Sequence, residues 1–266
     1  MRAVIFLFYQ ESHIKPFLHL FDEMVAQGYD CTLYTMNDLI SRLKSELGCR
    51  NLSFYKFVDI STICFDALAD QYSLHLPWNS SKPPNAAIIF GIALSKKFVT
   101  EAINSQRPDH DHFSDTEHRT DQYADEIADF IKDMGFRAYS MSENALKRTL
   151  SYDEARYISL LPHKTIACLA GIGWIGKNGL LITENFGCAL SICTVLTDIP
   201  LPTEQTKQML PQCGTCNQCK TICPTSTIHG TTWEMGILRE SLLDVFQCET
   251  CLKCMTICPW TIRYAM

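Results

Sequence analysis

The chain has 266 residues, 47% of them hydrophobic and 20% charged, which is enough for one sizeable core with a small module attached. Its formal net charge of -6 argues against an extended nucleic-acid footprint, because neutralising a phosphate backbone needs Lys and Arg in clustered excess. No apolar stretch reaches membrane length, and the opening "MRAVIFLFYQESH" reads as a buried strand rather than an export signal, so a cytoplasmic protein with no membrane partner is expected.

Residues 1–60 alternate as βαβα, with strands in "RAVIFLF" and "YDCTLYT" and helices in "KPFLHLFDEMVAQ" and "NDLISRLKSEL". No glycine follows the first strand, so a Rossmann-type phosphate turn is absent there. The pattern predicts an α/β N-terminal segment over 1–80, closed by the turn-rich "PWNSSKPPN". "AAIIFGIAL" then reads as a buried strand, opening a cofactor- and substrate-binding α+β domain over 81–202. A polar loop is expected from Ser105 to Arg119, followed by an amphipathic helix in "DQYADEIADFIKDMG" that ends at Gly135. His110, His112 and His118 stand among carboxylates in that loop. A solvated segment is the preferred reading, with a divalent-metal site or a loop over an active site as alternatives.

"GIGWIGKN", residues 171–178, satisfies G-x-G-x-x-G and also G-x-x-x-x-G-K-[ST] except at Asn178. Both nucleotide motifs need a strand before the glycines and a helix after them. Here "LPHKTIACLA" before them is helical in pattern, and "GLLIT" after them is a strand that continues through "ENFG" into "CALSICTVLT". The stretch is neither fingerprint. Its three glycines still predict a close backbone approach, either to the protein's own sheet or, through exposed N-H groups, to an anion or a ring edge.

The cysteines carry the strongest signal. Of 14 in the chain, eight lie between 213 and 258, in "CGTCNQCKTICP" and "CETCLKCMTICP". Both copies have the spacing C-x2-C-x2-C-x3-C-P of bacterial two-cluster ferredoxins, in which the fourth cysteine of each run ligates the other cluster. The crossing predicts one [4Fe-4S] cluster on Cys213, Cys216, Cys219 and Cys258 and another on Cys248, Cys251, Cys254 and Cys223, within a ferredoxin-like domain over 203–266. Zinc also takes sets of four cysteines, but its C-x2-C pairs do not call for a third and fourth at these offsets. The 24 residues between Cys223 and Cys248 have a helical pattern from about Trp233 to Phe246, so a ferredoxin with an inserted helix is expected. Cys31, Cys49, Cys64, Cys168, Cys188 and Cys193 show no ligand spacing and read as small core hydrophobes.

"LAGIGWIGKNGLLIT", then "VLTDIPLP", then two ferredoxin runs with the second ending "CPW" resembles the epoxyqueuosine reductase family, whose relatives include the reductive dehalogenases. The resemblance is close over about 160–260 and loose from about 84. It implies an oxidoreductase dependent on iron-sulfur clusters and cobalamin, with electrons passing from a low-potential donor of ferredoxin or flavodoxin type through both clusters to a corrinoid. It further implies Gly171, Gly173, Trp174, Gly176, Lys177 and Asn178 as corrinoid contacts, with His163 and Lys164 as further pocket residues. The family's proton-donating Asp falls, by ungapped count, on Tyr157. A tyrosine can donate a proton when a nearby cation lowers its pKa, and Arg156 and Lys164 are near in sequence.

The sequence runs only eight residues past Cys258, where family members carry a further helical region used for RNA. With the acidic balance, this favours a small-molecule or other substrate over tRNA. A non-catalytic electron carrier, with the large domain as its docking platform, and the tRNA enzyme itself are the competing readings.

Overall fold

The computed structural model describes residues 3–8, 14, 17–78, 82–105, 110–203 and 206–266. Its N-terminal elements follow the expected βαβα order: β1 (Ala3–Phe8), α1 (Leu18–Ala26), β2 (Asp30–Thr35) and α2 (Met36–Gly48). β1 and β2 pair in parallel, Ala3 opposite Asp30. Thr35 and Asp38 form a reciprocal capping box that starts α2. Leu39, Leu43 and Leu47, one turn apart on α2, are all fully buried.

The central sheet has the order β3 (Phe54–Asp59), β4 (Ala86–Ala93), β10 (Leu190–Thr197), β5 (Ala138–Ser140), and every neighbouring pair is antiparallel. β3 lies within the stretch expected to form a separate N-terminal segment, yet Phe54 pairs with Gly91 of β4. The boundary placed at residue 80 therefore cuts through one sheet, because strand pattern alone does not say which sheet a strand joins.

Alternation along β4 feeds two cores. Ala87 and Ile89 face one, closed by α3 (Phe65–Tyr72) and α7 (His163–Leu169), while Ile88 and Phe90 face the other, closed by α2 and α5 (His110–Asp133). A sheet buried on both faces explains the unbroken apolar run "AAIIFGIA".

Two expectations are corrected. The polar loop to Arg119 is helical from His110 onward, in one 24-residue helix with the segment expected to be helical; residues 106–109 lie outside the described ones. The helix expected from Trp233 to Phe246 is replaced by turns and two short 3-10 pieces, Arg239–Ser241 and Val245–Gln247. Gly236 sits there at φ 93°, and Trp233, Ile237, Leu242 and Leu243 pack onto the α/β core instead of forming one stripe.

The remaining elements are α4 (Lys96–Ser105), α6 (Glu143–Arg148), the hairpins β6 (Tyr152–Asp153) with β7 (Ile158–Ser159) and β8 (Trp174–Ile175) with β9 (Leu181–Ile182), and, in the cysteine-rich module, α8 (Gln218–Ile222), α9 (Lys253–Thr256) and α10 (Pro259–Ala265). A third core lies where module and domain meet, joining Leu94, Phe98, Trp174, Ile182 and Ala189 to Leu252, Met255 and Cys258.

Candidate functional site

Each cysteine run ends in a short helix, which brings thiols distant in sequence to one place. Cys213, Cys216, Cys219 and Cys258 line a cavity of about 220 Å³, together with Lys177, Asn178 and Trp260. Burial pushes the Cys219 thiol up to about 11, and Cys213, Cys216 and Cys258 add to the shift. Cys254 is pushed up to about 12, first by burial and then by Cys251, Cys219, Cys248 and Cys223. Cys258 of the second run thus joins the first three cysteines of the first run, while Cys219 and Cys223 of the first run both act on Cys254 of the second.

Two of these sulfurs are also supplied with donors. Cys258 precedes α10, and the Cys188 thiol, followed by the backbone N-H groups of Thr261 and Trp260, draws its pKa down. At Cys223 burial opposes ionisation, but the side chains and N-H groups of Thr227 and Thr225 bring the thiol to about 7. Cys188 was not singled out by its spacing. It lies in the turn before β10, and only its fold neighbours reveal it. Cys168 and Cys193 are buried as expected, Cys31 is partly buried, and Cys49 and Cys64 are exposed, because both stand at helix boundaries.

The glycine turn joins α7 to the β8–β9 hairpin. A Cβ on Gly173 would overlap the Ile182 carbonyl, one on Gly176 the Ile182 side chain, and one on Gly171 would stand 2.9 Å from the Lys207 carbonyl. These three close approaches are to the chain itself. Trp174 is 1% exposed and meets Trp260 edge to face, with ring centroids 4.9 Å apart. Lys177 Nζ donates to the Gly214 carbonyl at 2.9 Å and to Asn217 Oδ1 at 3.2 Å. Asn178 Nδ2 donates to the Cys254 carbonyl at 3.4 Å. The turn therefore faces the cysteine-rich module.

Tyr157 adopts φ 51° and is 54% exposed. Its ring lies 5.8 Å from that of Phe246, and its carbonyl accepts from Arg239 at 2.7 Å. Phe246 and Arg239 line a second cavity of about 300 Å³ with His229, Leu243 and Asp244. Arg156, expected to act on Tyr157, is instead held by Asp153 and by the Tyr72 carbonyl. Lys164 Nζ donates to the Gly179 carbonyl at 2.7 Å, and burial followed by Arg239 lowers its pKa. His163 Nδ1 lies 3.0 Å from Thr194 Oγ1, and burial, then Lys164, brings the imidazole down to about 4. Arg239 thus holds the Tyr157 backbone and repels the Lys164 ammonium, from a segment where the sequence pattern suggested only a helix.

His112 and His118 lie on α5. Among the described residues no group of three or more His, Cys, Asp or Glu is placed to hold a single metal ion. The first thiol set surrounds an open cavity rather than closing on a point. Among the described residues no helix is long and apolar enough to cross a membrane.

No family model matches the chain. The chain is 38% identical over 65 residues to the epoxyqueuosine reductase of Yersinia pestis, covering 24% of this chain and 15% of that protein. It is 32% identical over 112 residues to that of Pseudomonas aeruginosa, covering 42% and 26%. The matched stretches span less than a third of the curated relatives. Among solved structures, epoxyqueuosine reductase with a tRNA-Tyr stem loop superposes with a TM-score of 0.52 at 17% identity, over 85% of this chain and 66% of that one. A catabolic reductive dehalogenase in complex with 3-bromo-4-hydroxybenzoic acid superposes with a TM-score of 0.57 at 17% identity, over 82% and 31%. The chain is thus a homologue of the epoxyqueuosine reductases over part of its length, and it shares its mixed helix and strand fold with them and with a reductive dehalogenase.

Proposed function

We propose that this chain is an iron-sulfur oxidoreductase that takes electrons from a low-potential carrier of ferredoxin or flavodoxin type and delivers them, through two [4Fe-4S] clusters, to an acceptor in the α/β domain. One observation carries the proposal: Cys213, Cys216, Cys219 and Cys258, drawn from both runs, line a single cavity. Four thiols around an open space suit a cubane, whose four irons each take one thiolate. Cys248, Cys251, Cys254 and Cys223 supply the second set. Bound there, the clusters provide one-electron transfer, and the chain's own residues bind and insulate them.

For the acceptor, the resemblance implies a corrinoid against Gly171, Gly173, Trp174, Gly176, Lys177 and Asn178. Those residues do not offer it an open wall, since the glycines abut their own chain and Lys177 and Asn178 bond to the cysteine-rich module. The glycine turn therefore does not fit a corrinoid. Tyr157, His163 and Lys164 remain the pocket residues of the proposal. Tyr157 is the proton donor of this reading, supported by the contact of its ring with Phe246, which lines the second cavity. The substrate is a small molecule or an unidentified acceptor. The tRNA of the curated relatives is a second reading, favoured by their name and by the stem-loop complex that shares this fold.

The test is anaerobic reconstitution, with iron and sulfide content, visible absorption and EPR, followed by titration with cobalamin and assay on epoxyqueuosine-containing tRNA. Two cubanes are expected. Protein that takes up zinc but no cubane overturns the proposal. Saturable cobalamin binding with a changed Co(II) signal would add a corrinoid at a surface other than the glycine turn; two clusters with no acceptor bound and no substrate reduced would leave an electron carrier and overturn the enzyme reading.

A further inference from the structure

We propose that Lys177 sets the order in which the two clusters are reduced, its buried ammonium making the cluster on Cys213, Cys216, Cys219 and Cys258 the first to accept an electron. This rests on the cluster assignment above, and the test below separates the two.

Reducing a cubane adds one negative charge and binds no proton at the metal. A fixed cation close by stabilises the reduced form over the oxidised one, and more strongly where water is excluded. Lys177 meets these conditions. It is 6% exposed and lines the same cavity as the four thiols. Its Nζ is held by the Gly214 carbonyl at 2.9 Å and by Asn217 Oδ1 at 3.2 Å, both in the loop that carries Cys213 and Cys216. Both acceptors are neutral, so they orient the ammonium without cancelling its charge.

Among the described residues no other Lys or Arg is buried. Lys220 is exposed and donates to the His229 carbonyl at 3.0 Å. Lys253, between two of the ligands, is only partly buried, so water screens it more than Lys177. Neutral donors act on both sets: the Cys188 thiol on Cys258, and the Thr225 and Thr227 hydroxyls 3.6 Å and 3.3 Å from the Cys223 sulfur. They raise both potentials in the same direction. The buried cation is the asymmetric element. The stretch that half-fits a phosphate loop thus carries its lysine toward a different anion.

The test is an anaerobic redox titration of the reconstituted full chain, with both midpoints read by EPR and Cys216→Ser used to identify the signal of the first set. Lys177→Gln keeps a donor for Gly214 and removes the charge. It is expected to lower the midpoint of the first cluster by at least about 59 mV, tenfold in a one-electron equilibrium, and to leave the second unmoved, whereas Lys177→Arg retains the wild-type order. An unchanged midpoint, or equal falls at both clusters, overturns the proposal. If Lys177→Gln assembles no clusters, the wild type decides: midpoints closer than about 59 mV, or the higher one on the second set, overturn it. Iron and sulfide content on the same samples checks the underlying assignment, and wild-type protein without two cubanes removes both readings together.

Discussion

Gly173 and Gly214 make different demands on the backbone. At Gly173 a Cβ would overlap the Ile182 carbonyl, a main-chain atom fixed in the β8–β9 hairpin. At Gly214 φ is 48°, and nothing lies within 4 Å of a Cβ. Gly173→Ala should therefore cost about 3 kcal/mol or more through overpacking, and Gly214→Ala about 1 to 2 kcal/mol through backbone conformation alone. Urea unfolding of the two variants checks this; equal costs would mean that the hairpin yields. Both glycines stand in conspicuous motifs, but the sequence does not say what each one approaches. The meeting of Cys258 with Cys213, Cys216 and Cys219 at one cavity follows the spacing of the two runs. The role of Cys188 beside Cys258 was not legible, because a donor to a sulfur needs only proximity in space.

The two helices that sequence pattern misjudged differ in cause. In the first half of α5 the buried face is made of Thr116 and Thr120, 4% and 1% exposed, in line with Ala124, Ile127, Ala128 and Ile131. Their hydroxyls bond back to the carbonyls of His112 at 3.0 Å and Thr116 at 2.7 Å. A polar residue so satisfied is buried without an apolar signal. At 233–247 the apolar spacing was real, but Gly236 and the pull of the α/β core on Leu242 and Leu243 divided it.

α5 also bears Glu117 and Asp121, one turn apart, facing Glu143 at the start of α6. Glu117 is exposed at its tip, but crowding of its carboxyl by surrounding protein pushes it up from 4.5 to about 7, and Asp121 and Glu143 add to the shift by repulsion. The folded chain therefore holds this proton more tightly than the unfolded one. The group is harmless below about pH 4.5 and destabilises the fold as pH rises from there through about 7. Glu117→Gln should match the wild type in Tm at low pH and exceed it above that window, as thermal unfolding across pH would reveal; a difference independent of pH would refute the assignment. In α2, Leu43→Ala removes a fully buried side chain and should cost about 2 to 5 kcal/mol, measured in the same way.

At the scale of the molecule, the cysteine-rich module is joined to the α/β domain by contacts that are themselves buried. The Cys188 N-H donates to Thr261 Oγ1 at 3.1 Å, and the Tyr264 hydroxyl donates to the Leu94 carbonyl at 2.7 Å. A Cβ on Gly187 would overlap the Thr261 backbone. Trp174 and Trp260 meet across the junction, and Cys258 lies in the third core with both sides. On the proposed ligation, Cys258 within a shared core ties cluster retention to domain folding, so the two parts should unfold as one cooperative unit. Under anaerobic heating, near-UV circular dichroism from the tryptophan pair and visible absorption from the clusters should fall together at one Tm. Tyr264→Phe, which leaves the Leu94 carbonyl without this donor, should lower both signals by the same shift, equivalent to about 1 kcal/mol. If the cluster absorption disappears while the tryptophan signal persists, the module folds independently of the domain and the junction is a docking contact instead of a common core.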